Sequence, residues 1–175
     1  VATWYADAKT QNASISTDVD YVAYNRYVGF DPSNITTLKN SVDGKPLLMT
    51  EKGGATHVDL YDDLVYGNVI GWQQFTLCYP WSGATDDGYA YFEVNTSTWA
   101  VTPYSRTKLF RQYSKFIRNG AVRKGVTNSS SSYQGVPFQN PNGSVVVPIK
   151  CTTSGTINVK SLPDGTYGIK YSTDA

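Results

Sequence analysis

Glutamate is nearly missing from this chain: among 14 acidic residues, only Glu51 and Glu93 are Glu. Histidine and methionine occur once each, and cysteine twice. A single histidine (His57) without neighbouring ligands gives no metal site, and none is expected, nor a cofactor. It reads as a surface residue. No apolar run approaches the roughly 18 residues that a membrane-spanning helix needs, so no membrane span is expected. The 15 basic residues leave a net charge of +1. Arg106, Lys108, Arg111, Lys115 and Arg118 read as one helix face and not as a nucleic-acid stripe, so no nucleic-acid partner is expected. Nothing in the chain has the pattern of a Ser/His/Asp triad, a phosphate loop or a nucleotide fold.

What is abundant points elsewhere. Charged residues are only 17% of the chain while tyrosine reaches 14 copies, with much Ser, Thr, Asn and Gly. That mixture suits secreted β-rich or carbohydrate-active proteins. Asn-x-Ser/Thr sequons begin at Asn12, Asn34, Asn95, Asn128 and Asn142, as in a secreted glycoprotein. Cys78 and Cys151 fit either one disulfide in an oxidising compartment or two buried free thiols. A start at Val1, without initiator Met or signal peptide, is expected of a processed form or a fragment.

Residues 2–11 suit a short helix with Trp4 and Tyr5 as packing residues. Residues 19–28 (Val-Asp-Tyr-Val-Ala-Tyr-Asn-Arg-Tyr-Val) form a β-branched and aromatic strand ending in polar groups. Asp31-Pro32 opens a helix to about Val42, which Asp43-Gly44 ends. Then comes Lys45-Pro46-Leu47-Leu48-Met49-Thr50-Glu51-Lys52-Gly53-Gly54: a short buried strand that stops at a carboxylate and two glycines. An acid at the carboxyl end of a buried parallel strand sits where α/β folds place their chemistry. Glu51 is therefore the candidate catalytic residue; the alternative is a surface ion pair with Lys45 or Lys52.

A helix over 58–66 and a buried strand over 69–76 follow. Residues 78–103 make a long aromatic loop, expected to be functional or to hold small strands of its own. The clearest helix covers 103–118, with Tyr104, Leu109, Tyr113, Phe116 and Ile117 on its apolar side. Past Gly120, alternating segments at 121–126, 133–138, 144–150, 156–160 and 166–171 read as an antiparallel β unit, part of a sandwich. Asn142-Gly143 and Asp164-Gly165 are its expected turns. The order predicts α/β plus all-β: residues 1–119 as βα units with a parallel sheet, residues 120–175 as a β-sandwich portion. Three βα units cannot close a (β/α)₈ barrel, which takes about 250 residues. The chain is thus expected to be the carboxyl-terminal piece of a longer enzyme or an open sheet completed by a partner.

Taken together, residues 19–27, 45–53 and Ile70-Gly71-Trp72-Gln73-Gln74-Phe75 resemble the last three barrel strands of retaining (β/α)₈ glycoside hydrolases. Asn25-Arg26-Tyr27 is similar to β-glucuronidase and β-galactosidase relatives. Residues 113–121 (Tyr-Ser-Lys-Phe-Ile-Arg-Asn-Gly-Ala) are similar to the helix leading into the β-sandwich of glucosylceramidase, xylanase and agarase-like families. The resemblance implies that Glu51, ending the seventh strand, is the nucleophile attacking the anomeric carbon. It implies a sugar platform at Trp72, which otherwise reads as a core Trp needing no ligand, with Asn25, Arg26 and Tyr27 binding hydroxyls or orienting Glu51, and a weaker substrate contact at Trp81 and Asp86-Asp87. The family's acid/base follows the fourth strand in an Asn-Glu pair, and no such pair is present. Glu93, flanked by Tyr91 and Phe92, is either that acid or a loop Glu paired with a nearby base.

Two functions follow as expectations. One is the C-terminal portion of a secreted polysaccharide-acting glycosidase, its partners the glycan and the enzyme's own N-terminal part. The other is a non-catalytic secreted glycoprotein or assembly unit derived from that fold.

Overall fold

The computed structural model describes residues 2–27, 30–80 and 88–173. By contact, the chain falls into two units, residues 1–104 and 105–175. The division comes ahead of the helix at 105, whereas the change of sequence character near residue 119 marks where the second unit's β-ladders begin.

The first unit alternates helices with a three-stranded sheet. Helix α1 (Ala2–Gln11) and the turn-long α2 (Ile15–Asp18) lead to β1 (Val22–Asn25). In α1, Tyr5 joins the core, but Trp4 is 77% exposed, so only one of the two expected packing aromatics packs. Helix α3 (Pro32–Ser41) starts where Asp31 accepts the Asn34 N–H at 2.9 Å, with Pro32 in the first turn where no N–H is needed. It ends at Asp43 and Gly44, both at positive φ. Strand β2 (Leu47–Glu51) follows. Helix α4 (His57–Asp62) opens on a capping box between Thr56 and Asp59 and passes into a π-helical turn, Asp63–Gly67. The helix expected over 58–66 is therefore two pieces, an α-turn and a π-turn. Strand β3 (Gly71–Trp72) completes the sheet.

The order β1-β2-β3 is parallel throughout, with β2 in the centre. Val22, Tyr24, Leu47 and Met49 face the helices and join Tyr5, Leu38, Val42 and Val69 in the core. On the other face, Ala23 and Asn25 are exposed and Leu48 and Thr50 half-buried. Both faces of β2 were expected to be covered; among the described residues only one is.

The long aromatic loop does carry strands: β4 (Cys78–Pro80), β5 (Phe92–Val94) and β6 (Val101–Pro103). They form a small sheet, β4 parallel to β5 and β5 antiparallel to β6.

The second unit begins with α5 (Ser105–Ser114), burying Phe110 and Tyr113. Short antiparallel ladders follow: β7 (Val122–Arg123) and β10 (Val145–Val146) flank β9 (Phe138–Gln139), and β8 (Tyr133–Gly135) pairs β11 (Ile149–Cys151). Buried Asn140 joins helix to sheet: its amide donates to the Phe116 carbonyl at 3.0 Å and accepts the Arg118 N–H at 2.9 Å. Gly143 turns at positive φ between β9 and β10, as Asn-Gly predicts.

The last two expected strands do not form. Residues 156–160 and 166–171 are exposed and unpaired with any strand, because alternation without a neighbouring ladder leaves the backbone to water. Asp164-Gly165 is a bend, not a hairpin turn. Both cysteines are free and exposed, which corrects both sequence-derived alternatives.

Candidate active site

Glu51 is the last residue of the central strand. Plain alternation would put it on the same side as Leu47 and Met49, inside the core. A bulge prevents this: Tyr24 pairs with Met49, but Asn25 pairs with Glu51, leaving Thr50 as the extra residue on β2. Thr50 Oγ1 donates to Asn25 Oδ1 at 3.0 Å and Asn25 Nδ2 donates to Glu51 Oε2 at 3.2 Å. Both side chains therefore meet Asn25 on the uncovered face.

The other carboxylate oxygen, Oε1, accepts the Tyr27 hydroxyl at 2.5 Å. The Arg26 N–H holds the Glu51 carbonyl at 2.8 Å. The hydrogen bond to Glu51 is the largest cause raising the Tyr27 phenol above its ordinary pKa, with partial burial adding to it. A phenol held protonated stays a donor, so the carboxylate is oriented from two sides, by Asn25 at the end of β1 and by Tyr27 just beyond it. Lys52, one of the bases that would have explained Glu51 as half of an ion pair, reaches Asp59 at 3.2 Å instead. Lys45 lies at the opposite end of the strand.

Arg26 points the other way. Its guanidinium is 4% exposed and lies 3.3 Å from Asp59, 3.4 Å from Asp62 and 3.0 Å from Asp63. It also donates to the Asp59 and Phe30 carbonyls at 2.6 and 3.1 Å. Fully buried Asp63 further accepts the Tyr24 hydroxyl at 2.6 Å and the Trp72 indole N–H at 2.9 Å. Burial and this carboxylate push the Tyr24 phenol far above its normal range. Burial pulls the Asp59 carboxyl up, but the Thr56 N–H, Arg26 and Lys52 outweigh it and hold it below the usual value. Arg26 was expected to bind substrate hydroxyls or orient Glu51; its side chain is engaged on the helix side, and its backbone N–H is what meets Glu51.

Trp72 belongs to that buried side too. It is in register with Met49, while Gly71 is in register with Leu48 on the uncovered face. A sugar platform at Trp72 is not what this register gives. The aromatic at the sheet's end is Phe75, which pairs with Gly53 in a single parallel bridge and is 50% exposed. Phe75 was not singled out in the sequence; counting by twos from Gly71 along the uncovered face reaches it. Trp81 and Asp86-Asp87 lie outside the described residues. Glu93 sits mid-strand in β5 between Tyr79 and Thr102, half-buried, without an ion pair among the described residues. His57 opens α4, half-buried.

The architecture has known counterparts. No family model matches the chain. Among solved structures, SrfJ of Salmonella typhimurium superposes with a TM-score of 0.69 at 16% identity, over 83% of this chain and 37% of that one. An endo-β-1,6-glucanase gives 0.62 at 17% identity, over 81% and 36%. The catalytic domain of the GH30 xylanase C from Talaromyces cellulolyticus gives 0.62 at 19%, over 81% and 34%. In fold, the chain resembles part of a GH30-type glycoside hydrolase. The likeness agrees with the resemblance read from the sequence, and at these identities it is one of fold. The chain spans about a third of the length of these structures. No helix among the described residues is long and apolar enough to cross a membrane.

Proposed function

We propose that this chain is the C-terminal portion of a secreted retaining glycoside hydrolase acting on polysaccharide, with Glu51 as nucleophile. The observation that carries the proposal is the Glu51 carboxylate, turned out of the core by the bulge and held by Asn25 and Tyr27. In this reading β1, β2 and β3 are the last three strands of a (β/α)₈ barrel, residues 1–119 ending its catalytic domain. Residues 120–175 then belong to the β-sandwich, and the enzyme's N-terminal part supplies the remaining strands.

Retention requires a carboxylate to attack the anomeric carbon and a second carboxyl, about 5–5.5 Å away, to protonate the leaving oxygen. Glu51 forms the glycosyl–enzyme bond as the glycosidic C–O bond breaks. Tyr27 and Asn25 orient the attacking oxygens, and Tyr27 gives up its hydrogen bond as the charge on Glu51 is consumed. The acid comes from the N-terminal part, since no Asn-Glu pair exists here. Phe75 takes the platform role under the sugar that Trp72 was expected to fill, and Arg26 positions Glu51 through its backbone N–H. Exposure of the sequon residues Asn12, Asn34, Asn128 and Asn142 supports secretion as a glycoprotein.

The test is to join residues 1–175 to the N-terminal part and incubate the product with xylan and β-1,6-glucan. Glu51→Gln should lose turnover while glycan binding survives; retained turnover removes Glu51 from the mechanism. A second reading, a non-catalytic glycoprotein or assembly unit, is favoured by one observation: β1 and β3 are unpaired edges among the described residues. A native polypeptide no longer than this chain would select it.

A further inference from the structure

Tyr89 has so far been given no part. It comes into the site through Gly53, two residues beyond Glu51. A β-carbon at Gly53 would overlap the Tyr89 ring, so the ring lies directly against that backbone. Gly53 is not at positive φ, unlike its neighbour Gly54. The close approach of the ring, and not backbone conformation, is what requires glycine there. Tyr89 is also held from behind: its carbonyl accepts the Thr76 N–H at 2.6 Å and the amide of buried Gln74 at 2.8 Å. Tyr89 nonetheless remains 45% exposed. It is close enough to Tyr27 to help raise that phenol's pKa.

A flat, half-exposed ring, fixed at its backbone and lying against Gly53 two residues beyond Glu51, suits the apolar C–H face of a pyranose. We propose that Tyr89 is a glycan-contacting residue walling the cleft at Glu51, and that Gly53 is the position that admits its ring. The proposal rests on the glycosidase reading of Glu51 and adds to it a specificity-determining residue for the sugar nearest that carboxylate.

The experiment titrates the 175-residue chain, in a Glu51→Gln background, with xylotetraose and with β-1,6-linked glucotetraose, followed by calorimetry and NMR. One of these probes should bind and give intermolecular NOEs from sugar ring C–H protons to the Tyr89 ring. Tyr89→Ala should weaken that binding about ten-fold, and Tyr89→Phe by no more than about three-fold. Gly53→Ala removes no aromatic and should still weaken binding about as much as Tyr89→Ala, because its β-carbon displaces the ring. Binding with no NOE to Tyr89, or affinity in Tyr89→Ala and Gly53→Ala unchanged from the Glu51→Gln parent, overturns the role of Tyr89 and leaves the reading of Glu51 standing. Failure of both probes to bind overturns the role of Tyr89, while the reading of Glu51 stands or falls on the turnover of Glu51→Gln in the joined enzyme.

Discussion

The same short sheet carries two polar clusters, and they differ in almost every physical respect. Behind it, Arg26, Asp59, Asp62, Asp63, Tyr24 and Trp72 form a closed network around a guanidinium that is 4% exposed. At its end, Asn25, Thr50, Tyr27 and Glu51 form a line of hydrogen bonds with Tyr27 54% exposed. Each charge in the first cluster has an ionic partner, one guanidinium serving three carboxylates, so together they hold β1 and β3 to the helix layer. Among the described residues Glu51 is met by neutral donors, which steer it without neutralising it. Buried charge with ionic partners is architecture; half-buried charge with neutral partners is available for chemistry.

The largest effect should come from breaking the first cluster. Arg26→Met leaves three carboxylates facing one another around fully buried Asp63, and should cost about 3–5 kcal/mol of stability. Urea unfolding measures this; a loss under about 1 kcal/mol would mean that the cluster is hydrated and the contrast unfounded.

Acid should be next. Asp59 is held below the ordinary carboxylate value in the folded chain, so unfolded chains take up its proton first. The stability it contributes is present above about pH 4 and is lost as pH falls toward the folded value. Unfolding midpoints measured from pH 6 down to 3 should decline more steeply in the native chain than in Asp59→Asn. Parallel curves would remove Asp59 from the account.

A smaller shift tests the other cluster. The Tyr27 phenol titrates above its usual value chiefly because it donates to Glu51. Ultraviolet titration of Tyr27 should therefore move back down in Glu51→Gln, whose uncharged amide no longer favours the protonated phenol. No movement would show that the bond is not formed in solution. Smallest of all, Glu51→Gln should shift the melting temperature by no more than about 2 °C, since Glu51 has no ionic partner among the described residues.

Much of this architecture was legible in advance. The helix over 2–11 and the boundaries of α3 follow from local rules of propensity and capping, which need no distant contact. The apolar run at Leu47–Met49 and the Glu–Lys–Gly–Gly stop placed Glu51 at a strand end. Which way its neighbours point was not legible. Arg26 and Trp72 look like site residues because they are polar or aromatic beside a candidate nucleophile. Their orientation depends on register, and register on Tyr24 meeting Met49 across the sheet, a contact 25 positions apart in sequence. Tyr89 was invisible for a similar reason, since its partner Gly53 looked like an ordinary turn residue. The strands expected near Ile157 and Ile169 failed because alternation records only a capacity to pair. The ladder needs a neighbour that these residues do not have among those described.

Thr50 has a consequence that reaches past its own hydrogen bonds. By supplying one residue more than β1 can match, it changes the parity of the strand at the border between core and cleft. Leu47 and Met49 obey one count, and Glu51 begins another. Residues upstream can then be exchanged for volume and those downstream for reactivity, with neither set inheriting the other's constraints. Removing Thr50 would merge the two counts and leave the carboxylate opposite Asn25, with the bulge and the Thr50 hydrogen bond lost.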